Sequence, residues 1–146
     1  MTVSCHKDLL VGHLNIYHLA NKVTNVNVFV HQSDSLHIFG VSESRLTSYV
    51  SDEVVSIPNY SVLRRYAGEP GHAGIEVYVH DSIQDFTHRR YDLESTYVEI
   101  IWFQVKTGRG PPFLIAFIYI SPSSTLESFD EFVVMVDRVQ KQQASQ

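Results

Sequence analysis

Apolar and polar positions divide the first third of the chain into a strand, a crossover and a second strand. Leu9 to Ile16 and Leu36 to Val41 are apolar runs that predict strands, and the second is so uniformly apolar that we expect both of its faces to be buried. Leu19 to His31 carries leucine and valine at helical spacing, which predicts a helix between the strands. Its valines at 26, 28 and 30 also alternate as they would in a strand.

Farther along, the pattern predicts that the sheet continues. Residues Ile75 to Val79 alternate between aliphatic and polar or aromatic side chains, and Thr96 to Lys106 is a β-branched and aromatic run. The glycine and proline residues between Thr107 and Pro112 predict an irregular hairpin loop that leads into a strand over Phe113 to Ile120.

The last segment predicts a covering helix. Ser124 and Glu127 match a capping box, and Leu126 to Lys141 bears an apolar stripe at helical spacing. Such a stripe needs a sheet to pack against, so we expect an α/β fold, formally α+β, with a mixed sheet and flanking helices.

Two polar residues end the first two predicted strands and suggest chemistry. Asn15 ends the first strand and Glu43 follows the second. Open α/β folds collect ligands at strand ends, and carboxylate and amide oxygens suit hard cations. The pair therefore predicts the start of a cation and phosphate site.

Composition narrows the functional classes. The 146 residues, 44% hydrophobic and 18% charged, indicate one ordinary globular domain. No apolar run is long enough for a membrane helix and no leader pattern is present, so we expect a soluble protein, nuclear or cytoplasmic rather than secreted. A net charge of −5 argues against nonspecific coating of nucleic acid. The one cysteine, Cys5, cannot form an internal disulfide, and the sequence has no P-loop, dinucleotide-binding glycine pattern or nucleophile elbow.

Six short motifs, taken in order, resemble the endonuclease/exonuclease/phosphatase superfamily, and specifically the endonuclease domains of LINE-type, non-LTR retrotransposons. The motifs are Asn15-Ile16 with Asn21-Lys22, Ser42-Glu43-Ser44-Arg45-Leu46, Ile57-Pro-Asn-Tyr60 leading to Arg64, Gly74-Ile-Glu-Val-Tyr-Val79, Leu93-Glu94, and Ile118-Tyr-Ile-Ser-Pro122. Each motif is weak alone, and their order and spacing make the resemblance specific.

The resemblance implies a Mg²⁺-dependent phosphodiesterase that cleaves DNA, on part of a four-layer α/β sandwich. By resemblance Glu43 is the metal ligand, Asn15 assists the metal and phosphate, and Tyr119 directs its phenol at the phosphate. Arg64 is the candidate nucleic-acid-binding residue, although a solvated surface pair with Arg65 is the default interpretation. Glu94 stands at a recurrent acidic position of the family and is a candidate contact for the side chains that touch the metal. Without the resemblance, the default interpretations are a surface glutamate for Glu43, a turn-capping asparagine for Asn15 and a packed tyrosine for Tyr119.

The sequence also departs from the family pattern. The Gly-Asp-X-Asn and Ser-Asp-His motifs, which carry the remaining acids and the catalytic histidine of the family, do not occur in residues 1–146, so we expect a single truncated domain with weak or no activity. Gly71-His-Ala-Gly74 replaces a run of glycines. Glu76 stands inside an apolar strand, either facing solvent because a covering layer is gone or as the result of sequence drift.

Two alternatives follow from these departures. The first is a noncatalytic remnant that acts as a protein-interaction module, with possible self-association through an uncovered sheet. The second is a fragment of a phosphoinositide-type phosphatase, which shares the fold. The retrotransposon-like spacing favours the nuclease over the phosphatase.

Overall fold

A computed structural model describes residues 9–32, 36–68, 72–96, 98–106 and 108–144; Cys5, Gly71 and Thr107, named above, lie outside the described residues. The helices and strands, in chain order, are β1 (Val11–Asn15), α1 (Val23–Gln32), β2 (Ile38–Ser42), β3 (Tyr60–Arg65), β4 (Ile75–His80), β5 (Thr87–Arg89), β6 (Glu99–Val105), β7 (Phe113–Tyr119) and α2 (Leu126–Ala144). Short 3₁₀ helices cover Asp52–Val55, Asp81–Phe86 and Tyr91–Leu93.

The described strands form two sheets. The first has the order β1-β2-β4-β3 and is mixed, because β1 and β2 are parallel whereas the other pairs are antiparallel. Helix α1 makes the crossover that a parallel connection requires. The second sheet, β5-β6-β7, is antiparallel, and β6 and β7 form the predicted hairpin. The prediction of an α/β fold with a mixed sheet and flanking helices is confirmed.

The sheets pack face to face, and each carries a helix on its outer surface. Val26 and Val30 of α1 pack with Phe39 and Val41 of β2. The side chains that alternate with these in β2 and β4 pack instead against β6 and β7, in a cluster that contains Ile38, Val77, Ile101, Phe103 and Phe117. On the far side of the second sheet, Trp102 packs with Met135 and Val139 of α2. Because both faces of β2 and β6 are buried, their sequences are almost continuously apolar.

Helix α1 begins at Val23, four residues later than predicted. Tyr17 and His18, which lead into this segment, have φ values of 43° and 67°, and Leu19 to Lys22 form a separate turn in which Lys22 N donates to Leu19 O at 2.8 Å. Leu19 is fully buried, and its N–H donates to Ser44 O at 3.0 Å rather than taking part in the helix. The loop after β1 is therefore fixed to the loop after β2.

Helix α2 begins at Leu126 as predicted, but the predicted capping box is wrong. The N-cap is Thr125, whose Oγ1 accepts the N–H of Ser128 at 3.3 Å. Ser124 belongs to the preceding turn, where its N–H donates to Ser121 O at 2.9 Å. Neither described helix is long and apolar enough to cross a lipid bilayer.

At Gly40 the two sheets come close together because this residue has no side chain. A Cβ atom at this position would lie 2.1 Å from Cδ1 of Phe117. Real Cβ atoms do not come so close to another carbon, so the Phe117 ring occupies the space that a side chain on β2 would need. Glycine is required here for packing.

Candidate active site

Asn15 and Glu43 lie side by side at one edge of the first sheet. Asn15 ends β1 opposite Ser42, the last residue of β2, and Glu43 follows directly. Because β1 and β2 are parallel neighbours, their carboxyl ends lie at the same edge. The side chains touch: Asn15 Nδ2 donates to Glu43 Oε1 at 2.8 Å.

Tyr119 reaches the same carboxylate from the other sheet. It ends β7, and its ring is half-buried against the core between the sheets. Its phenol lies close enough to Glu43 to lower the pKa of that carboxyl as a hydrogen-bond donor. Burial, followed by the Glu43 carboxylate, raises the pKa of Tyr119, so the phenol keeps its proton. We call Asn15, Glu43 and Tyr119 the Glu43 group.

The environment of Glu43 favours an ionised carboxylate in contact with water. The Asn15 amide, then the Tyr119 phenol, and more weakly the Arg45 guanidinium hold the pKa of Glu43 below its ordinary value, against the effect of burial. Arg45 Nη2 lies 3.7 Å from Glu43 Oε2, and the Glu43 side chain is 17% exposed. The site therefore presents one negative charge with hydrogen-bond donors around it.

The backbone around this carboxylate is held in unusual conformations. Glu43 and Arg45 have φ values of 54° and 60°, in the left-handed region, as do Tyr17 and His18 in the facing loop. Hydrogen bonds between the loops keep them there, since His18 N donates to Glu43 O at 2.9 Å. Non-glycine residues in this region cluster at functional sites, where surrounding contacts offset the strain.

The donors of the Glu43 group fit a magnesium ion that keeps most of its water. Mg²⁺ is commonly held by one or two carboxylates together with waters and substrate phosphate. Glu43 supplies one ionised carboxylate, and Asn15, which donates through its nitrogen, has an amide oxygen as well. Among the described residues no three His, Cys, Asp or Glu side chains come together as a metal cage.

Arg64, the candidate nucleic-acid contact, points into the protein. Its side chain is only 4% exposed, so it is not part of a solvated surface pair. Nη1 donates to Val50 O at 2.6 Å and to Asp52 Oδ1 at 2.8 Å, and Nη2 donates to Thr47 O at 3.2 Å. A DNA contact would require the guanidinium to leave these partners.

Glu94 lies in a different set of contacts. Arg89 Nη2 lies 3.1 Å from Glu94 Oε1, and both side chains are nearly buried. Arg89 also donates to the backbone carbonyl of Arg64 at 3.0 Å. The described contacts of Glu94 thus connect it to Arg89 and not to the Glu43 group.

Glu76 does not face solvent, so that explanation for a carboxylate in β4 is wrong. The residue is fully buried, with Oε1 3.7 Å from Arg64 Nε, and neither carboxylate oxygen has a partner at hydrogen-bonding geometry. Burial raises the pKa of Glu76 to about 7; Ser44 and Arg64 lie near enough to oppose the rise, and Glu99 adds to it. The covering layer is present, and the carboxylate is enclosed beneath it.

Glu99, which lies behind the Glu43 group, was not predicted from the sequence as a site residue. It begins β6, is buried, and accepts the N–H groups of Ala73 and Gly74. The available signal was a lone acid at the start of the apolar run Ile100 to Phe103. Such an acid must find internal partners, because an unpaired buried charge is costly.

Comparisons with known proteins support the fold and leave the family membership open. No protein-family model matches the sequence, and no curated protein matches it. Among solved structures, the chain is similar to the AP endonuclease LMAP from Leishmania major, with a TM-score of 0.58 and 13% sequence identity over 84% of this chain. The match covers 42% of that chain, so this sequence spans less than half of its length. The likeness shows a shared fold: the described residues take up the mixed α/β sandwich of that structure.

Proposed function

We propose that this chain supplies the amino-terminal part of a Mg²⁺-dependent DNA endonuclease related to those of LINE-type retroelements. The observation that carries the proposal is the Glu43 group: an ionised carboxylate held by an amide and a phenol at the strand ends of a nuclease-like fold. The retroelement origin rests on the order and spacing of the motifs in the sequence.

The chemistry assigns a part to each side chain. Glu43 would hold Mg²⁺, which when bound neutralises phosphate charge and favours deprotonation of water. Asn15 keeps the carboxylate oriented and offers its amide to a phosphate oxygen, and Tyr119 is a neutral donor for developing negative charge. Arg45, 43% exposed, can exchange its contact with Glu43 for a phosphate.

The proposed activity of these 146 residues alone is weak. The Glu43 group contains one carboxylate and no histidine, and hydrolysis needs a base to take the proton from water. Since the Gly-Asp-X-Asn and Ser-Asp-His motifs do not occur in the sequence, the general base and further metal ligands must come from elsewhere if efficient cleavage takes place.

Plasmid nicking tests the proposal. Supercoiled plasmid is incubated with the purified chain and Mg²⁺, beside Glu43→Gln and the exposed-site control Glu53→Gln, after all three are shown to be folded. We expect slow nicking by the wild type and the control, loss of nicking in Glu43→Gln, and loss with EDTA. Equal nicking by all three would point to a contaminant, and no nicking by the folded wild type would contradict activity in this chain.

A second candidate, an interaction module, is favoured by strand β7. Its sequence, Phe113-Leu-Ile-Ala-Phe-Ile-Tyr119, has no charge and no proline, and within the described residues it hydrogen-bonds only to β6. An apolar edge strand of this length is a template for another strand, including that of a second copy. Sedimentation tests this idea, because Ala116→Lys in the middle of β7 should abolish association while Ser124→Lys should not.

A further inference from the structure

We infer that Glu99 is a positioning residue that fixes the backbone on which Glu43 is presented, acting through the turn at Ala73 and Gly74. Its bearing on catalysis rests on the function proposed above, whereas its effect on the backbone does not. Two chains of contacts lead away from Glu99, one to the loop after β2 and one to Tyr119.

The first contact is a pair of hydrogen bonds between the Glu99 carboxylate and the turn at Ala73 and Gly74. Glu99 Oε2 accepts the N–H of Ala73 at 2.8 Å, and Oε1 accepts the N–H of Gly74 at 2.6 Å. Each carboxylate oxygen thus holds one of two successive amides. Burial raises the pKa of Glu99, and the N–H groups of Ala73 and Gly74 oppose that rise. Because both oxygens accept, the geometry is that of the ionised carboxylate, whose hydrogen bonds are shorter and stronger than neutral ones, so the turn is firmly held to the start of β6.

The opposite side of the same turn holds the loop that carries Glu43. Ala73 O accepts the N–H of Arg45 at 2.8 Å, and Gly74 O accepts the N–H of Ser44 at 3.3 Å. Gly74 has a φ of 94°, and a Cβ there would lie 2.3 Å from Ser44 Oγ, so the turn lies directly against this loop. Both residues that follow Glu43 therefore depend on the turn that Glu99 holds.

The second chain of contacts leads to Tyr119. Glu99 is the cross-strand partner of Tyr119 in the β6–β7 pair. One residue of the second sheet thus stands beside the phenol of the Glu43 group and also holds the turn behind its carboxylate. Glu99 connects the two halves of the site, which come from different sheets.

Glutamine, the neutral isostere of glutamate, should not be able to accept both hydrogen bonds from the turn. The two turn amides both donate, and a carboxylate offers two acceptor oxygens, whereas glutamine offers one oxygen and one amide nitrogen that is itself a donor. In Glu99→Gln a side-chain N–H would face a backbone N–H, and one buried amide would lose its partner. Glu94→Gln is the matched control, because it neutralises another nearly buried carboxylate whose described partner is Arg89.

NMR spectroscopy tests the inference without metal or DNA. The Cα and Cβ chemical shifts of Glu43 and Arg45 report their left-handed backbone, and amide hydrogen exchange reports the hydrogen bonds of Ser44 and Arg45. In Glu99→Gln we expect the left-handed shifts to be averaged and both amides to exchange at least about tenfold faster. In Glu94→Gln we expect both readouts to match the wild type. Wild-type shifts and exchange in Glu99→Gln would overturn the inference.

A measurement on the wild type covers the case in which Glu99→Gln does not fold. If Glu99 holds the turn and the turn holds the loop, the amides of Ala73, Gly74, Ser44 and Arg45 open together and share one protection factor, within about threefold. Independent protection of the two pairs would overturn the inference. Neither readout needs activity, so a chain that fails to nick DNA yet shows these effects separates the positioning role from the proposed function.

Discussion

Glu43 and Glu76 are close neighbours in the first sheet with opposite electrostatic behaviour. Glu43 follows β2, and Glu76 lies in the adjacent strand β4, opposite Val41. Hydrogen-bond donors lower the pKa of Glu43, whereas burial raises the pKa of Glu76 to about 7. Near neutral pH the first is fully ionised and the second is close to half protonated.

The difference between their pKa values comes from burial and from hydrogen-bond donors rather than from the neighbouring arginine. Both carboxylates face an arginine at 3.7 Å, Arg45 for Glu43 and Arg64 for Glu76. Only Glu43 has aligned donors and access to water; Glu76 is enclosed and has no partner at hydrogen-bonding geometry. An arginine at that distance does not compensate for lost hydration. Glu43 is therefore suited to hold a cation, and Glu76 makes stability depend on pH.

The largest expected effect comes from removing the cation beside Glu76. Arg64→Met should lower the free energy of unfolding by about 3–5 kcal/mol at pH 8, where Glu76 is ionised. At pH 5 the loss should be smaller, because Glu76 binds a proton. Urea unfolding at both pH values measures this. Arg45→Met, which removes the more exposed partner of Glu43, should cost about 1 kcal/mol or less; equal losses at both pH values in Arg64→Met would contradict the assigned role of Glu76.

The next effect comes from neutralising Glu76 itself. Since the pKa of Glu76 is raised in the folded state, the folded protein binds the carboxyl proton more tightly than the unfolded chain does. The stability that protonated Glu76 contributes therefore falls as the pH rises from about 4.5 to about 7. Glu76→Gln should therefore be more stable than the wild type at pH 8, by up to about 3 kcal/mol, and nearly equal to it at pH 4.5. Thermal or urea unfolding across this range gives the difference, and Glu53→Gln, on the surface, should show no such trend.

The smallest effect concerns the donors of Glu43. Asn15→Ala should raise the pKa of Glu43 toward its ordinary value, as carboxyl ¹³C NMR titration would show. A lowered folded pKa contributes stability above the unfolded pKa, and this stability is lost as the pH falls through the folded pKa. The variant should thus lose about 1 kcal/mol or less at pH 7 and still less in acid. Asn25→Ala, on the exposed face of α1, should leave the pKa of Glu43 unchanged.

The apolar pattern was sufficient for the strands that are buried on both faces and for the flanking helices, whereas the four-layer arrangement was expected only from the family resemblance. It did not predict β3, because Tyr60–Arg65 is an edge strand, half-buried throughout, with two arginines and no apolar run. The short strand β5 was missed for a similar reason: Thr87–Arg89 is only three residues long and polar.

The sequence also placed Asn15 and Glu43 correctly at strand ends, since that placement follows from local pattern. It could not show which partners enclose a buried acid. Glu76 meets Arg64 through strand register, and Glu99 meets Ala73 and Gly74 across 26 and 25 positions of sequence separation. Contacts of this kind depend on how two sheets are assembled, and the periodicity of a single segment carries no record of them.

The missing side chain at Gly40 also affects the precision of the chemistry. Gly40 lies on β2, three positions before Glu43, and Phe117 lies on β7, two positions before Tyr119. The Phe117 ring packs directly on the backbone of Gly40, and this contact prevents one sheet from sliding along the other. The position of the Tyr119 phenol relative to the Glu43 carboxylate therefore depends on packing in the interior. A methyl group added at position 40 would displace Phe117 and with it the end of β7, although it would touch neither side chain of the site.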